Sequence, residues 1–290
     1  MRKKILVVGA NGMLGGSLFR HFSSCNNYEV LGSTRNANSS QKLKNQGFNN
    51  IISNIDVKST DKLDKLIGDF KPDFLFNCVG IIKQLGISKN HIESIEINTL
   101  LPHKLAKICT KNQTKLIHFS TDCVFNGQNG LYKETDIADA SDLYGKSKLL
   151  GEVSYNGHIT LRTSIIGHEI GTHNSLIDWF LSQDNNVNGF SKAIFSGLPT
   201  CYMAEVLEKY VLLNQSLSGL YHLSVDPISK YELLKLVKFI YNKDCNIRES
   251  KELVIDRSLD SSLFIKETGF IPENWENLIR KMNNEYKKYF

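Results

Sequence analysis

The feature that most narrows the folds open to this chain is an apolar run that breaks abruptly at Gly9. Ile5-Leu6-Val7-Val8 has strand length and no polar member, the pattern of a parallel strand buried on both faces. Gly9-Ala10-Asn11-Gly12-Met13-Leu14-Gly15-Gly16 follows and opens into a helical pattern that runs through Phe22. Gly9, Gly12 and Gly15 permit a tight turn, close approach of backbone to a pyrophosphate, and close packing of helix on strand. The spacing is GxxGxxG, a variant of the GxGxxG dinucleotide fingerprint, and its place after a first strand and before a helix gives it weight. Gly9, Asn11, Gly12, Met13, Leu14 and Gly15 are therefore candidate phosphate contacts, at a helix N-terminus whose N–H groups and dipole favour anions.

Four more strands follow in the same style. Residues 28–33 read as the second, and at its end a dinucleotide site selects its cofactor. An acidic residue there would bind an adenosine ribose; the chain offers Ser33, Thr34 and Arg35 instead, which suits a 2′-phosphate and favours NADPH over NADH. Residues 51–55 read as the third strand, with Asp56 and Val57 beyond it placed to touch the adenine. Residues 74–78 read as the fourth, leading into Cys78, Val79 and Gly80, where backbone runs along the nicotinamide half. Lys83, just beyond, is either a substrate contact or a solvated loop lysine. A helix over 88–110 carries Asn98, expected to pack or hydrogen-bond between sheet and helix, and Pro102, expected to kink or split it. Residues 115–120 form the fifth strand, so Thr121 falls at its carboxyl end, where ligands of open α/β sheets gather. Five strands with intervening helices predict an α/β chain with a Rossmann-type doubly wound parallel sheet.

The chemistry points to Tyr144-Gly145-Lys146-Ser147-Lys148. In a helix over 143–152, Tyr144 and Lys148 stand at i and i+4 on one face, ~5–6 Å apart. A free phenol, with a pKa of about 10, is a poor acid or base at neutral pH. A neighbouring ammonium favours the phenolate and fits the group to exchange a proton with a carbonyl or alcohol. The Thr121 hydroxyl is then a candidate to hold the same substrate oxygen. The bland alternative is a solvated lysine beside a half-buried tyrosine.

Residues 159–166 supply a sixth strand, and beyond Gly167 the pattern changes. His168-Glu169-Ile170-Gly171-Thr172-His173 imitates a zinc motif, but its histidines are five apart and off a common helix face, so it reads as a loop and no metal is expected. A short helix over 176–181, an extended stretch over 193–199, a helix over 201–213, a parallel strand over 219–225, a helix capped by Ser229 and a last helix after Pro272 complete the chain. These pieces read as 1–166, with about 193–225, forming an NADP-binding domain, and about 167–192 with 226–290 forming a smaller C-terminal substrate-binding cap.

Composition excludes other classes. A net charge of +5 with lysines spread along the chain argues against nucleic acid as partner. Six cysteines without a CxxC pair read as reduced thiols. The apolar run after Arg2-Lys3-Lys4 is too short for a signal sequence, and no stretch approaches the ~20 residues that span a bilayer, so no membrane partner is expected and the cytoplasm is the expected location.

The ordered set GANGMLG, FNCVG, FSTDCVFNG, YGKSKLLGE, LRTSIIG, FSGLPT and GLYHLS resembles the extended short-chain dehydrogenases/reductases, and within them the dTDP-4-dehydrorhamnose reductase group of sugar-nucleotide enzymes. The resemblance covers nearly the whole chain. It implies a catalytic triad of Thr121, Tyr144 and Lys148, with NADPH reducing the C4 ketone of a nucleotide-linked 6-deoxy-hexose for surface polysaccharide. It further implies that Tyr144 donates the proton, that Lys148 lowers its pKa and bonds the nicotinamide ribose, that Thr121 holds the C4 oxygen, and that Asp122 helps with the proton or orients substrate. Arg162 and Thr163 would lie near the seam between cofactor and substrate. Two departures stand out. Cys123 occupies a position where the family often has Tyr, and an Arg-Pro pair survives as Arg257-Ser258, expected to loosen the loop that carries Arg257 toward a pyrophosphate. A same-superfamily epimerase or dehydratase, and a non-catalytic regulatory subunit, are the alternative readings; the sequence is silent on oligomeric state, with a homodimer implied as one option by the relatives.

Overall fold

The computed structural model describes residues 2–82, 90–171 and 175–290. Its centre is a seven-stranded sheet built from β1 (Lys3–Val8), β2 (Tyr28–Ser33), β3 (Ile51–Ile52), β4 (Phe74–Asn77), β5 (Lys115–Thr121), β6 (Ile159–Thr163) and, much later in the chain, Gly219–His222. Between these run α1 (Met13–Ser23), α2 (Ala37–Asn45), α3 (Thr60–Phe70), α4 (His91–Ser94), α5 (Leu101–Lys111) and α6 (Leu143–Leu150). The pairs β1–β2, β1–β4, β2–β3 and β4–β5 are all parallel.

The order across the sheet is β3-β2-β1-β4-β5-β6, then the Gly219–His222 strand. The chain thus winds outward from β1 in one direction and, after β3, returns to wind in the other. That reversal opens a crevice at the carboxyl ends of β1 and β4, where such sheets bind ligands. Each face of the sheet is covered. Ile5 to Val8 are fully buried. On one side Leu6, Val8, Leu75 and Leu116 pack with Leu63, Ile67, Leu101 and Leu105 of α3 and α5. On the other, Phe22 of α1 lies 5.4 Å from Phe76, which lies 6.5 Å from Phe119.

Contacts divide the chain into two compact units: residues 1–121, 141–161 and 215–220 form one, and 122–140, 162–214 and 221–290 the other. The second holds β7 (Ile165–Ile166), α7 (Leu176–Leu181), β8 (Val187–Phe190), β9 (Ala193–Phe195), β10 (Leu198–Pro199) and α8 (Thr200–Val206). After β11 (Gly219–His222) come β12 (Ile228–Ser229), α9 (Lys230–Tyr241), β13 (Ile247–Ser250), β14 (Ile255–Asp256), α10 (Ser262–Thr268) and α11 (Trp275–Tyr289). Short ladders β7–β10, β8–β13 and β12–β9–β14 join the small strands. Its core is rich in aromatics, with Phe180, Phe264 and Phe270 among its fully buried side chains.

Four expectations from sequence are corrected here. The third strand is Ile51–Ile52, because the chain leaves the ladder before Asn54, whose φ is 62°. The sixth strand stops at Thr163, and Ile165–Ile166 pairs instead with Leu198–Pro199. The helix expected over 201–213 is α8 followed by a π-helical turn, Leu207–Val211. Pro102 does not break its helix. The helix runs through it, Leu100 and Leu101 both keeping helical angles, and its missing N–H falls where a π-helical segment, Ile95–Leu100, passes into α5.

That π-helical segment packs against α6 at a point with no spare room. A Cβ placed on Gly151, the C-cap of α6, would stand 1.9 Å from the Asn98 carbonyl oxygen. Gly151→Ala must push α6 away from the segment, which is expected to cost about 1–3 kcal/mol. Urea denaturation checks this, and an unchanged midpoint at unchanged slope would show that the contact is slack.

Candidate active site

The glycine turn is built as the sequence requires. Gly9 has φ +85°, and a Cβ there would meet Val79 Cγ2 at 2.8 Å. A Cβ on Gly15 would stand 2.2 Å from the Gly9 oxygen and 3.1 Å from Cys78 Cβ. Only glycine at both positions lets α1 start directly above β1 and against the end of β4. Gly12 is the N-cap of α1 and supplies no side-chain cap, so the first-turn N–H groups around Met13 and Leu14 are left for another acceptor. A pyrophosphate fits that requirement.

Around the turn, the other nucleotide-facing candidates assemble within the same unit. Gly9 and Ala10 N–H both donate to the Ser33 carbonyl, at 3.2 and 3.0 Å, which ties the turn to the end of β2. Thr34 is buried and its Oγ1 donates to the Asn36 carbonyl, while Arg35 is exposed. Ile55 N–H donates to the Thr34 carbonyl at 3.0 Å, so the Asp56-Val57 corner stands beside Thr34 and Arg35. Asn36 caps α2 by accepting from Ser39 N–H at 2.9 Å, which sets Arg35 next to the positive end of that helix.

At the far side, Cys78 N–H donates to the Val8 carbonyl at 3.0 Å, and Val79 N–H donates to Asn77 Oδ1 at 3.3 Å. Burial pushes the Cys78 thiol pKa well above its ordinary value, so it is a neutral wall of the crevice. Asn98 then clamps the segment that follows. Its Oδ1 accepts from Ile81 N–H at 2.9 Å, and its Nδ2 donates to the Ile81 carbonyl at 3.1 Å and to Ser147 Oγ at 3.2 Å. Ser147 Oγ in turn donates to the Tyr144 carbonyl at 3.0 Å, and Thr99 Oγ1 donates to the Ser147 carbonyl at 2.8 Å. One buried amide thus joins the segment after Gly80 to the helix that carries Tyr144.

Tyr144 and Lys148 are one turn apart on α6, whose N-cap Asp142 accepts from Gly145 N–H at 2.9 Å. Lys148 is 6% exposed, and its Nζ donates to the Phe119 carbonyl at 2.6 Å. Phe119 is two residues before Thr121, itself buried at the end of β5, so the lysine docks α6 onto the strand that presents the threonine. Burial lowers the Lys148 pKa to about 8, and the Glu152 carboxylate opposes that shift. Below that value the site carries a cation one turn from the phenol.

The remaining site candidates belong to the other unit or lie outside the described residues. Asp122 opens the second unit in a short 3-10 turn, Asp122–Val124. Arg257 is also in the second unit, where Nε donates to the Phe125 carbonyl at 2.8 Å and Nη1 to Cys123 Sγ at 3.5 Å. Cys123, at the position where Tyr was expected, is therefore a contact of Arg257. Ser258 does not loosen this loop. It is fully buried, its Oγ donates to Asp256 Oδ1 at 2.6 Å, and the same oxygen accepts from Leu131 N–H at 2.8 Å. Hydrogen bonds replace the stiffness a proline would give. Arg162 and Thr163 are buried in the same unit, with the Arg162 guanidinium 5.3 Å from the Phe125 ring centroid. His168 is buried between Asp178 Oδ1, at 2.5 Å from Nδ1, and Tyr241 Oη, at 2.8 Å from Nε2. Lys83 and His173 lie outside the described residues.

Five polar residues were not among the sequence candidates: Ser147, the Ser120–Glu152 pair at 2.7 Å, and the buried Asn77–His118 pair at 3.1 Å. A polar residue at an apolar position of its period is the available signal, and Asn77 and His118 in otherwise apolar strands carry it.

With crevice, glycine turn and Tyr/Lys helix in place, the arrangement is that of a nucleotide-dependent short-chain oxidoreductase fold. The chain belongs to the family described as the RmlD substrate binding domain, whose match runs over residues 2–287. It is 26% identical over 242 residues to the dTDP-4-dehydrorhamnose reductase of Aggregatibacter actinomycetemcomitans, covering 79% of this chain and 76% of that protein. It is 26% identical to the spore coat polysaccharide biosynthesis protein SpsK of Bacillus subtilis, covering 97% of both chains. The crystal structure of dTDP-4-dehydrorhamnose reductase from Bacillus anthracis in complex with NADP superposes with a TM-score of 0.81, at 20% identity, over 98% of this chain and all of the other.

Removing the Asn98 amide is expected to free the Ile81 backbone and to destabilise the fold. Asn98→Ala leaves a buried N–H and C=O unpaired, a loss of about 2 kcal/mol or more. Chemical denaturation reads the loss, and wild-type stability in that variant would show that the clamp carries no load.

Proposed function

We propose that this protein is an NADPH-dependent reductase of the 4-keto group of a nucleotide-activated 6-deoxy-hexose, acting in nucleotide-sugar synthesis for a surface polysaccharide. The observation that carries the reading is the Lys148–Phe119 hydrogen bond, which docks the Tyr144 helix against the strand ending in Thr121, in the unit that holds the glycine turn. Family membership and the reductase among its relatives support the substrate class. Among the described residues no helix is long and apolar enough to cross a membrane, and we place the reaction in the cytoplasm.

The crevice residues fit a dinucleotide. Gly9, Asn11, Gly12, Met13, Leu14 and Gly15 would hold the pyrophosphate on the N-terminus of α1. Thr34 and Arg35 would take the 2′-phosphate, Asp56 and Val57 the adenine, and Cys78, Val79 and Gly80 the nicotinamide half. NADPH bound there supplies the hydride for the ketone. Thr121 holds the ketone oxygen through its hydroxyl. Tyr144 gives that oxygen a proton from its phenol. Lys148, charged and buried, stabilises the phenolate left behind and keeps donors for the cofactor ribose.

The direct test is oxidation of NADPH, followed by absorbance, across a panel of nucleotide-linked 4-keto sugars. Turnover of at least one is expected, and binding of NADPH without turnover of any would favour a regulatory subunit. Tyr144→Phe is expected to abolish turnover while NADPH still stabilises the protein in a thermal shift; an active variant would remove the phenol from the proton step. Arg35→Ala is expected to raise the KM for NADPH by about tenfold or more with little change for NADH, the size of one charge-assisted contact. An equal effect on both would exclude a 2′-phosphate contact. Because Lys148 is cationic below about 8 and neutral above it, kcat/KM is expected to fall as pH rises through that value. A profile flat from 7 to 9 would contradict the role given to the ammonium.

A further inference from the structure

Lys148 presents a problem that the reaction alone does not solve. The residue is 6% exposed, and its ammonium donates a hydrogen bond to an uncharged carbonyl, that of Phe119. A buried cation needs an opposite charge nearby or it loses its proton. Glu152 stands four residues on, just past the end of α6. The chain still turns there, with Glu152 N–H donating to the Leu149 carbonyl at 3.2 Å. Gly151 fixes the exit of the chain through its tight packing on the Asn98 carbonyl. Ser120 Oγ then donates to Glu152 Oε1 at 2.7 Å. Ser120 is buried and adjacent in β5 to Phe119, the residue that holds Lys148. Two consecutive residues of one strand therefore hold the cation and the carboxylate, the first by its carbonyl and the second by its hydroxyl.

We propose that Glu152, held in place by Ser120, is the counter-ion that keeps the buried Lys148 ammonium charged, making Glu152 and Ser120 positioning residues for proton transfer through Tyr144. The inference rests on the reductase reading for its catalytic consequence, but not for the charge pairing itself. The electrostatic effect agrees in direction: the Glu152 carboxylate raises the Lys148 pKa against the burial that lowers it. Among the described residues, the other charged groups on elements packed against α6 do not take this part: Glu93 of α4 and Glu96 of the π-helical segment both pair with Lys58. His118, on β5, is fully buried, and that burial, with the nearby Lys148 charge, lowers its pKa well below the ordinary value and keeps it neutral. His103, on α5, pairs with Tyr155 Oη and the Leu150 carbonyl. Tyr144, on α6, is the phenol the cation serves.

The test titrates Lys148 directly, by NMR of the apoprotein labelled with 13C at the lysine side-chain methylene next to nitrogen, the signal being assigned by its absence in Lys148→Met. Glu152→Gln keeps size and hydrogen bonding and removes the charge. It is expected to move the Lys148 midpoint down by about one pH unit or more. Glu152→Asp is expected to return most of the shift, and Ser120→Ala to move the midpoint the same way by less. In the active enzyme the alkaline limb of kcat/KM is expected to shift in parallel. A Lys148 midpoint unchanged in Glu152→Gln overturns the inference, even where the variant melts earlier, since a structural link would lower the melting temperature without moving a titration. Glu152→Asp and Ser120→Ala serve if Glu152→Gln does not fold: an unmoved midpoint in Ser120→Ala then overturns it. A midpoint that moves in a protein reducing no nucleotide-linked ketone keeps the charge pairing and removes the reductase reading instead.

Discussion

The ammonium of Lys148 on the carbonyl of Phe119 is the interaction on which the arrangement of this site depends. Helix α6 is eight residues long and opens with Asp142, and by itself it would be marginal. Its place is set by what it touches: β5 through the lysine, and the π-helical segment through Gly151, Ser147 and Thr99. Because the lysine is buried, the bond is made in a medium of low polarity, where it is strong and where its charge must be answered. The same burial that fixes the helix brings the lysine within reach of neutral pH.

A second constraint is the irregular helix around Asn98. A regular α-helix from residue 91 onward would present a different residue to Ile81 and α6. The π-helical turn, Ile95–Leu100, inserts extra chain and aims Asn98 at both. Such insertions recur at functional sites because they re-aim a side chain without ending the helix. Here the effect is to make the segment after β4 and the Tyr144 helix parts of one hydrogen-bonded assembly.

Much of this was readable from residues alone. The apolar run ending at Gly9 defines β1 and the turn, because an unbroken apolar run of strand length fits a parallel strand covered on both faces and the turn at Gly9 and Gly15 leaves no room for a Cβ. Ser229 caps α9 by accepting from Glu232 N–H, as its residue type suggests. Other features left no local trace. Nothing in residues 95–100 distinguishes a π-helical turn from an α-helix, since the difference is one of register against neighbours far along the chain. Ile165–Ile166 looks like a continuation of β6, yet Leu198–Pro199 captures it in another ladder. Ser258 reads as a weakened proline position, and only the fold reveals that Asp256 and Leu131 hold it. The Ser120–Glu152 pair was invisible for the same reason: its partners are 32 residues apart and meet because β5 and α6 do.

The central claim is that Thr121, Tyr144 and Lys148 surround one reacting carbonyl beside a nicotinamide. A crystal structure of the protein with NADPH and a non-reacting nucleotide sugar tests it most directly. The account predicts the nicotinamide ring over the Cys78–Gly80 segment, Lys148 Nζ within hydrogen-bond distance of its ribose, and the sugar C4 oxygen shared by the Tyr144 and Thr121 hydroxyls. A nicotinamide placed away from α6, or a sugar whose C4 faces solvent with Tyr144 turned aside, would contradict it.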